Sequence, residues 1–160
     1  ISWLDDIYSI WFVWRFLAHA LSAGVQMMDV GYWSELPLPF TSINISLGMF
    51  GTLFTFVWIT WLVNAYNFMD GIDGIAGLQA VIAGCGWLVL AYVFELNSIF
   101  YLAGVIAVTS LAFLIHNWHP AKIFMGDVGS AFLGYSFAAL PLLAQNERQS
   151  ESNIFICKQI

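Results

Sequence analysis

Residues 74–94 read GIAGLQAVIAGCGWLVLAYVF, a run of 21 uncharged and mostly apolar residues. An α-helix needs about 20 such residues to cross the roughly 30 Å hydrocarbon layer of a membrane. The run lacks the alternation of apolar and polar residues that is typical of a lipid-facing β-barrel strand. This stretch therefore predicts a membrane-spanning helix.

Charged side chains are equally sparse elsewhere, and further uncharged runs cover residues 36–69, 96–121 and 128–146. Each run is long enough for a span, and the long side chain of Arg15 can reach the membrane interface from near the end of an earlier one. The predicted fold is an all-α, polytopic transmembrane helix bundle. Its five spans are predicted at about 10–29, 43–65, 75–94, 98–117 and 129–145.

The composition excludes several classes of protein. Of 160 residues, 61% are hydrophobic and 9% are charged, whereas a typical soluble domain is about 25% charged. So few charges cannot cover a water-facing surface, which argues against a soluble enzyme, and the net charge of −6 argues against a nucleic acid as partner. Two cysteines suggest neither a disulfide framework nor a metal cluster. Membrane lipid is therefore the expected surrounding of the protein.

A change to polar residues near the end of the chain sets the predicted domain boundary. We predict one transmembrane domain over residues 1–146 and a polar loop or frayed tail over 147–160. The chain begins with Ile and shows no signal-peptide pattern, so we expect it to be part of something longer.

Alternating spans would bring residues 1–9, 66–74 and 117–128 to the same side of the membrane. The basic residues Arg15 and Lys122 favour the cytoplasm as that side. The acidic residues expected to share it are Asp5, Asp6, Asp70, Asp73 and Asp127.

Three polar segments carry candidate chemistry, and the first is the adjacent pair Asp5 and Asp6. Neighbouring carboxylates repel each other unless a cation joins them. Taken alone, however, the pair is better explained as a cap for the first helix, where negative charge suits the helix dipole.

The second segment is NAYNFMDGIDGIAG, residues 64–77. One helical turn would place Asp70 and Asp73 on a common face, with Asn67 one turn earlier. Its three glycines leave space where a phosphate or a metal can approach the backbone. A polar turn with Asp73 as a helix cap explains one carboxylate but not the whole pattern.

The third segment is HNWHPAKIFMGDVGS, residues 116–130. Asp127 can be a helix cap, but oxygen ligands from separate loops are also what Mg²⁺ binds, usually together with substrate phosphates. Asp127, Asn67 and Asp70 would form such a set. The two histidines have no third ligand at a spacing typical of zinc.

Residues 64–74 and 122–130 resemble two signature motifs of the polyprenyl-phosphate N-acetylhexosamine-1-phosphate transferases, glycosyltransferase family 4. This family includes phospho-N-acetylmuramoyl-pentapeptide transferase and the enzymes that initiate O-antigen synthesis. The residues of the two motifs look closest to those of the O-antigen enzymes. Asp5 and Asp6, followed by Arg15, resemble the family's paired-aspartate motif with its downstream basic residue. The resemblance covers residues 3–144. A histidine-rich motif and the family's other spans have no match, so the chain resembles the middle of the enzyme.

The resemblance implies transfer of an N-acetylhexosamine-type sugar-1-phosphate from a UDP-sugar to undecaprenyl phosphate, with release of UMP. This reaction belongs to the synthesis of cell-envelope polysaccharide or peptidoglycan precursors. Mg²⁺ is the implied cofactor, with Mn²⁺ as an alternative. The implied location is the bacterial inner membrane with a cytoplasmic active site, and a homodimer is one implied arrangement.

The resemblance also implies residue roles. An aspartate of the first pair would deprotonate the acceptor phosphate, although direct attack by an aspartate stays open, and Arg15 would contact phosphate. Phe124 would stack on uracil and Asp73 would bind its edge. The catalytic residues implied are Asp5, Asp6, Asp70 and Arg15. The substrate-binding residues implied are Asp73, Phe124 and Asn64, and the metal ligands are Asp127, Asn67 and Asp70.

Other functions fit the sequence less well. An ion-coupled transporter also places carboxylates near broken helices, but it needs no Asn-Asp-Gly motif. A membrane aspartyl protease needs a glycine where Phe124 stands, and a CDP-alcohol phosphotransferase needs a further Asp pair. A non-catalytic, truncated remnant of the transferase stays open, and we expect the 160 residues alone to be inactive. The identity of the sugar also stays open.

Overall fold

The computed structural model describes residues 11–37 and 44–157 of the chain. In this part, the helices are α1 (Phe12–Asp29), α2 (Phe50–Met69), α3 (Ile75–Val93), α4 (Asn97–Asn117) and α5 (Gly126–Cys157). Two short antiparallel strands, β1 (Glu35–Pro37) and β2 (Asn44–Ser46), stand between α1 and α2. The predicted all-α helix bundle is confirmed.

Among the described residues, three helices are long and apolar enough to cross a membrane. They are α3, α4 and the part of α5 from Gly126 to Ser150. Helices α1 and α2 occupy the positions of the first two predicted spans, but polar and aromatic side chains such as Arg15, His19 and Asn67 lower their mean hydropathy. Composition and length therefore support three spans in the described part, rather than the five that the sequence predicts.

Two predicted boundaries differ from the structure. Helix α2 begins at Phe50 rather than near residue 43, because the strand β2 occupies the first part of that apolar run. Helix α5 continues to Cys157, so residues 147–157 are helical and not the predicted loop or frayed tail. The Glu, Arg and Gln residues there favour a helix, and Glu147 accepts a hydrogen bond from the Ser98 N–H at 3.0 Å.

The helices pack in two layers that depend on small residues. Helix α3 packs along α4, and α2 packs along α5, with α1 against α2. A Cβ on Gly134 would lie 2.7 Å from the Val63 Cα, so α5 approaches the α2 backbone closely at this glycine. Gly84 has the same role between α3 and α4, since its Cβ would lie 3.0 Å from the Ala107 Cβ. Close backbone approach through small residues is common in membrane helix pairs.

The buried and exposed apolar residues divide as expected for a bundle in lipid. Ile59 and Val63 of α2 are almost fully buried against Ala138 and Leu142 of α5. Large apolar side chains on the outer faces of α3 and α4, such as Val89 and Val108, are 64% and 67% exposed. A continuous apolar exterior is unfavourable in water and favourable in hydrocarbon, so the protein is a membrane protein.

Chemistry-bearing residues collect at one end of this bundle. Arg15 at the start of α1 meets Asp127 at the start of α5, and Gly74 before α3 meets Asn117 at the end of α4. At the other end, Asn146 of α5 donates to the carbonyl of Val30, just after α1. The 19 helical steps from Asp127 to Asn146 rise by about 29 Å, close to the thickness of the hydrocarbon layer.

Asp70, Asp73 and Asp127 lie at this end of the bundle, and their placement on the cytoplasmic side of a membrane stays a prediction. Asp70 caps the end of α2, and Asp73 follows in the turn before α3. Asp5 and Asp6 lie outside the described residues.

Candidate functional site

The first cluster of the site is centred on Asp127, the second residue of α5. Its Oδ2 accepts a hydrogen bond from the Arg15 Nη1 at 2.9 Å, and its Oδ1 accepts one from the Asn67 Nδ2 at 2.8 Å. The Asn67 Nδ2 also lies 3.3 Å from the Ser130 Oγ. The starts of α1 and α5 and the end of α2 therefore meet at one carboxylate.

Local sequence explains why the Asp127 carboxylate lies where it does. Gly126 has a φ of 67°, a left-handed conformation that glycine adopts without strain, and it turns the chain into α5. Asp127 then falls in the first turn, where the helix dipole stabilises negative charge. Ser130, one turn later, donates to the Gly126 carbonyl at 3.0 Å and accepts from the Asn67 Nδ2.

This cluster has the donor chemistry of a Mg²⁺ site with a single carboxylate. Mg²⁺ is commonly held by one or two carboxylates together with substrate phosphates. Asp127 supplies one carboxylate and Ser130 a hydroxyl oxygen. Asn67 would add its amide oxygen once the side-chain amide is turned over. Within the described residues, no group of three or more His, Cys, Asp and Glu side chains is placed to hold a metal. The remaining ligands would have to come from water or from a phosphate.

The second cluster joins Asp73 to the loop between α4 and α5. The Asp73 Oδ2 accepts a hydrogen bond from the Ala121 N–H at 3.2 Å and lies 3.1 Å from the His119 Nδ1. The Ala121 N–H has the largest effect on Asp73, and His119 has the next largest. Both stabilise the carboxylate and so hold the pKa of Asp73 below its usual value. Both contacts end on Oδ2, so neither uses the Oδ1 oxygen.

Phe124 is an exposed aromatic residue between these clusters in sequence. Its side chain is 74% exposed, although a Phe in so apolar a chain is more often buried or in contact with lipid. It lies three residues before Asp127 and three residues after Ala121. An exposed ring in this position is available for stacking on a nucleotide base.

Comparison with known proteins places the chain in a family. A sequence model of glycosyl transferase family 4 matches residues 1–145. The chain belongs to this family.

Among its relatives, this family 4 chain is 39% identical over 117 residues to phospho-N-acetylmuramoyl-pentapeptide-transferase of Listeria monocytogenes serotype 4b (strain CLIP80459). That match covers 73% of the chain and 36% of the relative. It is 38% identical over 141 residues to the probable undecaprenyl-phosphate N-acetylglucosaminyl 1-phosphate transferase of Bacillus subtilis (strain 168), covering 88% of the chain and 39% of the relative.

A third relative is phospho-N-acetylmuramoyl-pentapeptide-transferase of Lactiplantibacillus plantarum, 38% identical over 157 residues, with 92% of the chain and 49% of the relative covered. The family 4 chain spans less than half the length of each of these curated relatives. The resemblance found in the motifs is confirmed, whereas a closer likeness to O-antigen-initiating members stays a prediction.

Not every predicted site residue of the family 4 chain falls in the two clusters. The Asn64 Nδ2 donates to the Thr60 carbonyl at 2.7 Å, within α2 and one turn away from Asn67. Asp70 lies one turn beyond Asn67, and its N–H donates to the Tyr66 carbonyl at 3.2 Å.

The sequence pattern misses one residue that the structure brings into the second cluster. Asn117, the last residue of α4, is 3% exposed, and both ends of its amide bind backbone groups. The signal was an amide side chain at the end of an apolar helix, within the same polar segment 116–130 that carries Phe124. A single Asn at a helix end is commonly a simple cap, and this explains why the pattern assigns no role to Asn117.

Proposed function

We propose that this chain carries metal-binding and nucleotide-binding residues of a membrane transferase. The reaction is transfer of an N-acetylhexosamine-type sugar-1-phosphate from a UDP-sugar to undecaprenyl phosphate, with release of UMP. The names of the relatives, which transfer a phospho-sugar or act on undecaprenyl phosphate, support this class of reaction. The observation that carries the proposal is the meeting of Arg15, Asn67 and Asp127 within 2.8–2.9 Å at one end of the bundle.

Phosphoryl transfer mainly needs positioning of the reacting groups and neutralisation of phosphate charge. A Mg²⁺ ion (or Mn²⁺) held by Asp127 and Asn67 would supply charge neutralisation for the pyrophosphate of the donor. For this the Asn67 amide would present its oxygen rather than its NH₂, a rotation that changes no backbone contact. The Arg15 guanidinium can bind a phosphate through two parallel hydrogen bonds once it leaves Asp127.

Arg15 lies on the Oδ2 of Asp127 and Asn67 lies at its Oδ1. A metal ion beside Asn67 would compete with Arg15 for the single negative charge of this carboxylate. Arg15 therefore acts first as the partner that keeps the partly buried carboxylate paired. With a phosphate and a metal ion in the site, the Arg15 guanidinium would be free to pair with the phosphate instead of the carboxylate. The exchange leaves no charge unpaired, which would otherwise be costly in a partly buried site.

The uridine part of the donor is assigned to the second cluster. Phe124 stacks on the uracil ring, and the Asp73 Oδ1 accepts a hydrogen bond from the base edge. The exposed position of Phe124 and the free direction of that oxygen support these roles. The roles of Asp70 and Asn64, and deprotonation of the acceptor by Asp5 or Asp6, rest on the family resemblance.

The site is proposed to face the cytoplasm of a bacterium from its inner membrane. Undecaprenyl phosphate would then reach it through the lipid and the UDP-sugar through the cytoplasm. Helix ends collected at one membrane boundary support such a meeting of a lipid and a soluble substrate. The proposed homodimer is a further expectation from the family.

The test is binding of UMP to the purified chain in detergent by isothermal titration calorimetry, with and without Mg²⁺. Asp127→Asn keeps the capping ability, since Asn caps about as well as Asp, but removes the charge that a metal needs. We expect Mg²⁺-dependent UMP binding by the wild-type chain and its loss in Asp127→Asn. The matched control is Asp29→Asn, an exposed carboxylate at the other end of the bundle, which should bind normally. Equal binding by all three proteins would disprove the metal role of Asp127.

A further inference from the structure

The buried side chain of Asn117 joins two separate loops. Its Oδ1 accepts a hydrogen bond from the Gly74 N–H at 2.9 Å, and its Nδ2 donates to the Ile123 carbonyl at 2.8 Å. Asn117 itself is fixed in the last turn of α4 and is 3% exposed. One amide therefore connects the turn before α3 with the loop before α5.

The two backbone groups held by Asn117 are direct neighbours of proposed nucleotide contacts. Gly74 follows Asp73, and Ile123 precedes Phe124. A displacement of either backbone group would move the neighbouring functional side chain with it. Asn117 thus sets the position of the Phe124 loop relative to the Asp73 carboxylate.

Glycine at position 74 is part of this arrangement. Gly74 has a φ of 77°, a region that other residues rarely adopt, and a Cβ there would still have ordinary contacts of 3.6 Å or more. The requirement for glycine is therefore conformational rather than steric. Gly74 is the N-cap residue directly before helix α3, and its N–H bonds to Asn117 and not to a side chain of that helix.

A second connection between the same loops is exposed and weaker. Asp73 binds the Ala121 N–H and His119, but the side chains of Asp73 and His119 are 30% and 82% exposed. Water competes with such contacts, and a nucleotide bound by Asp73 would disturb them as well. The Asn117 bonds are sheltered from water, so they hold the loop when the exposed connection opens.

We propose that Asn117 is a positioning residue of the nucleotide site. It holds residues 118–125, with Phe124, against residues 70–74, with Asp73, before the nucleotide binds. This role rests on the proposed function, because it assumes that Phe124 and Asp73 bind uridine. It requires no contact between Asn117 and the ligand, since preorganisation of the loop is sufficient.

The variant Asn117→Asp tests the two hydrogen bonds separately, because it keeps one and removes the other. The carboxylate still accepts from the Gly74 N–H, but an ionised carboxylate cannot donate to the Ile123 carbonyl and faces it with like partial charge. Asn117→Ala removes both bonds. Asn97→Asp, an exposed residue at the other end of α4, is the matched control.

We expect UMP, titrated calorimetrically into the full chain in the presence of Mg²⁺, to bind about tenfold more weakly to Asn117→Asp, the factor expected for one buried hydrogen bond. Asn97→Asp should bind like wild type. A merely structural role is separated by repeating the Asn117→Asp change in a Phe124→Ala background. If Asn117 acts through Phe124, the second change should add less than a twofold loss, because there is no ring left to position.

The outcomes distinguish the two proposals. A wild-type chain that binds no UMP with Mg²⁺ overturns the proposed function and the positioning role with it. A wild-type chain that binds UMP, together with an Asn117→Asp variant that binds equally well, overturns the positioning role alone. An equal loss in the presence and absence of the Phe124 ring also overturns it, since Asn117 would then act on the fold in general. Circular dichroism of each variant shows whether the helices are retained.

Discussion

Removal of the Arg15 side chain tests the competition between this residue and a metal ion for Asp127. In Arg15→Gln the guanidinium no longer lies 2.9 Å from the Asp127 Oδ2, so a divalent cation can bind that oxygen without displacing a positive charge. The proposed function therefore predicts opposite effects on two ligands. Metal binding should become tighter, and binding of the nucleotide phosphate should become weaker.

The magnitude follows from the exposure of the pair. The side chains of Arg15 and Asp127 are 34% and 25% exposed, so solvent screens much of their attraction. Ion pairs of this kind contribute about 0.2–1 kcal/mol. Removing that competition should tighten metal binding by about 1.4- to 5-fold. A fully buried pair would have given a much larger factor.

The measurement is titration of the wild-type and Arg15→Gln chains with Mn²⁺, followed by electron paramagnetic resonance of the free ion. Lys122→Gln removes a positive charge from an exposed position at the same end of the bundle and serves as the control. Its metal affinity should change less than that of Arg15→Gln. Unchanged or weaker Mn²⁺ binding in Arg15→Gln would refute the competition.

Three further predictions concern the nucleotide site and the helix packing. Phe124→Ala should weaken UMP binding by about 5- to 150-fold, since stacking contributes roughly 1–3 kcal/mol; normal calorimetric binding would leave Phe124 without this role. Because the pKa of Asp73 is lowered in the folded protein, its bond to the loop is present at neutral pH and is lost as the pH falls through that pKa. A spin label at Lys122 should therefore gain mobility only at a pH below the usual titration range of aspartate, by an amount that the Asn117 bonds limit. A change in mobility that begins closer to neutral pH would argue against this bond. Gly134→Ala should lower stability by roughly 1–3 kcal/mol in thermal melts, because its Cβ meets the α2 backbone, whereas Gly86→Ala, with nothing within 4 Å, should not.

Local composition determines α3 and α4 almost completely. The predicted spans 75–94 and 98–117 agree with Ile75–Val93 and Asn97–Asn117 to within one residue at each end. Charged and turn residues bound both apolar runs, so hydropathy alone shows where each helix begins and ends. Glu95, with a φ of 58°, lies in the short turn between the two helices.

Hydropathy is a poor guide where an apolar run is longer than one span or where polar residues are helical. The uncharged run 36–69 contains no internal signal for the start of α2, which is set by the β1–β2 pairing in front of it. The polar residues after 146 remain helical because they have high helix propensity and because Asn146 is bound to the end of α1. Contacts with other elements decide both cases.

The candidate site also has one part that the sequence predicts and another part that only the tertiary structure shows. The motifs by themselves identify Asp127, Asn67 and Asp73, because the chemistry of metals and phosphates needs those residue types close to glycines. They do not show that the Asp127 carboxylate pairs with Arg15, 112 residues away in the chain, or that Asn117 joins the Asp73 turn to the Phe124 loop. The sequence determines which segments are apolar helices and which residues can do the chemistry, since both depend on local composition. The tertiary structure decides which atoms are partners, because that depends on which helix ends meet at one side of the bundle.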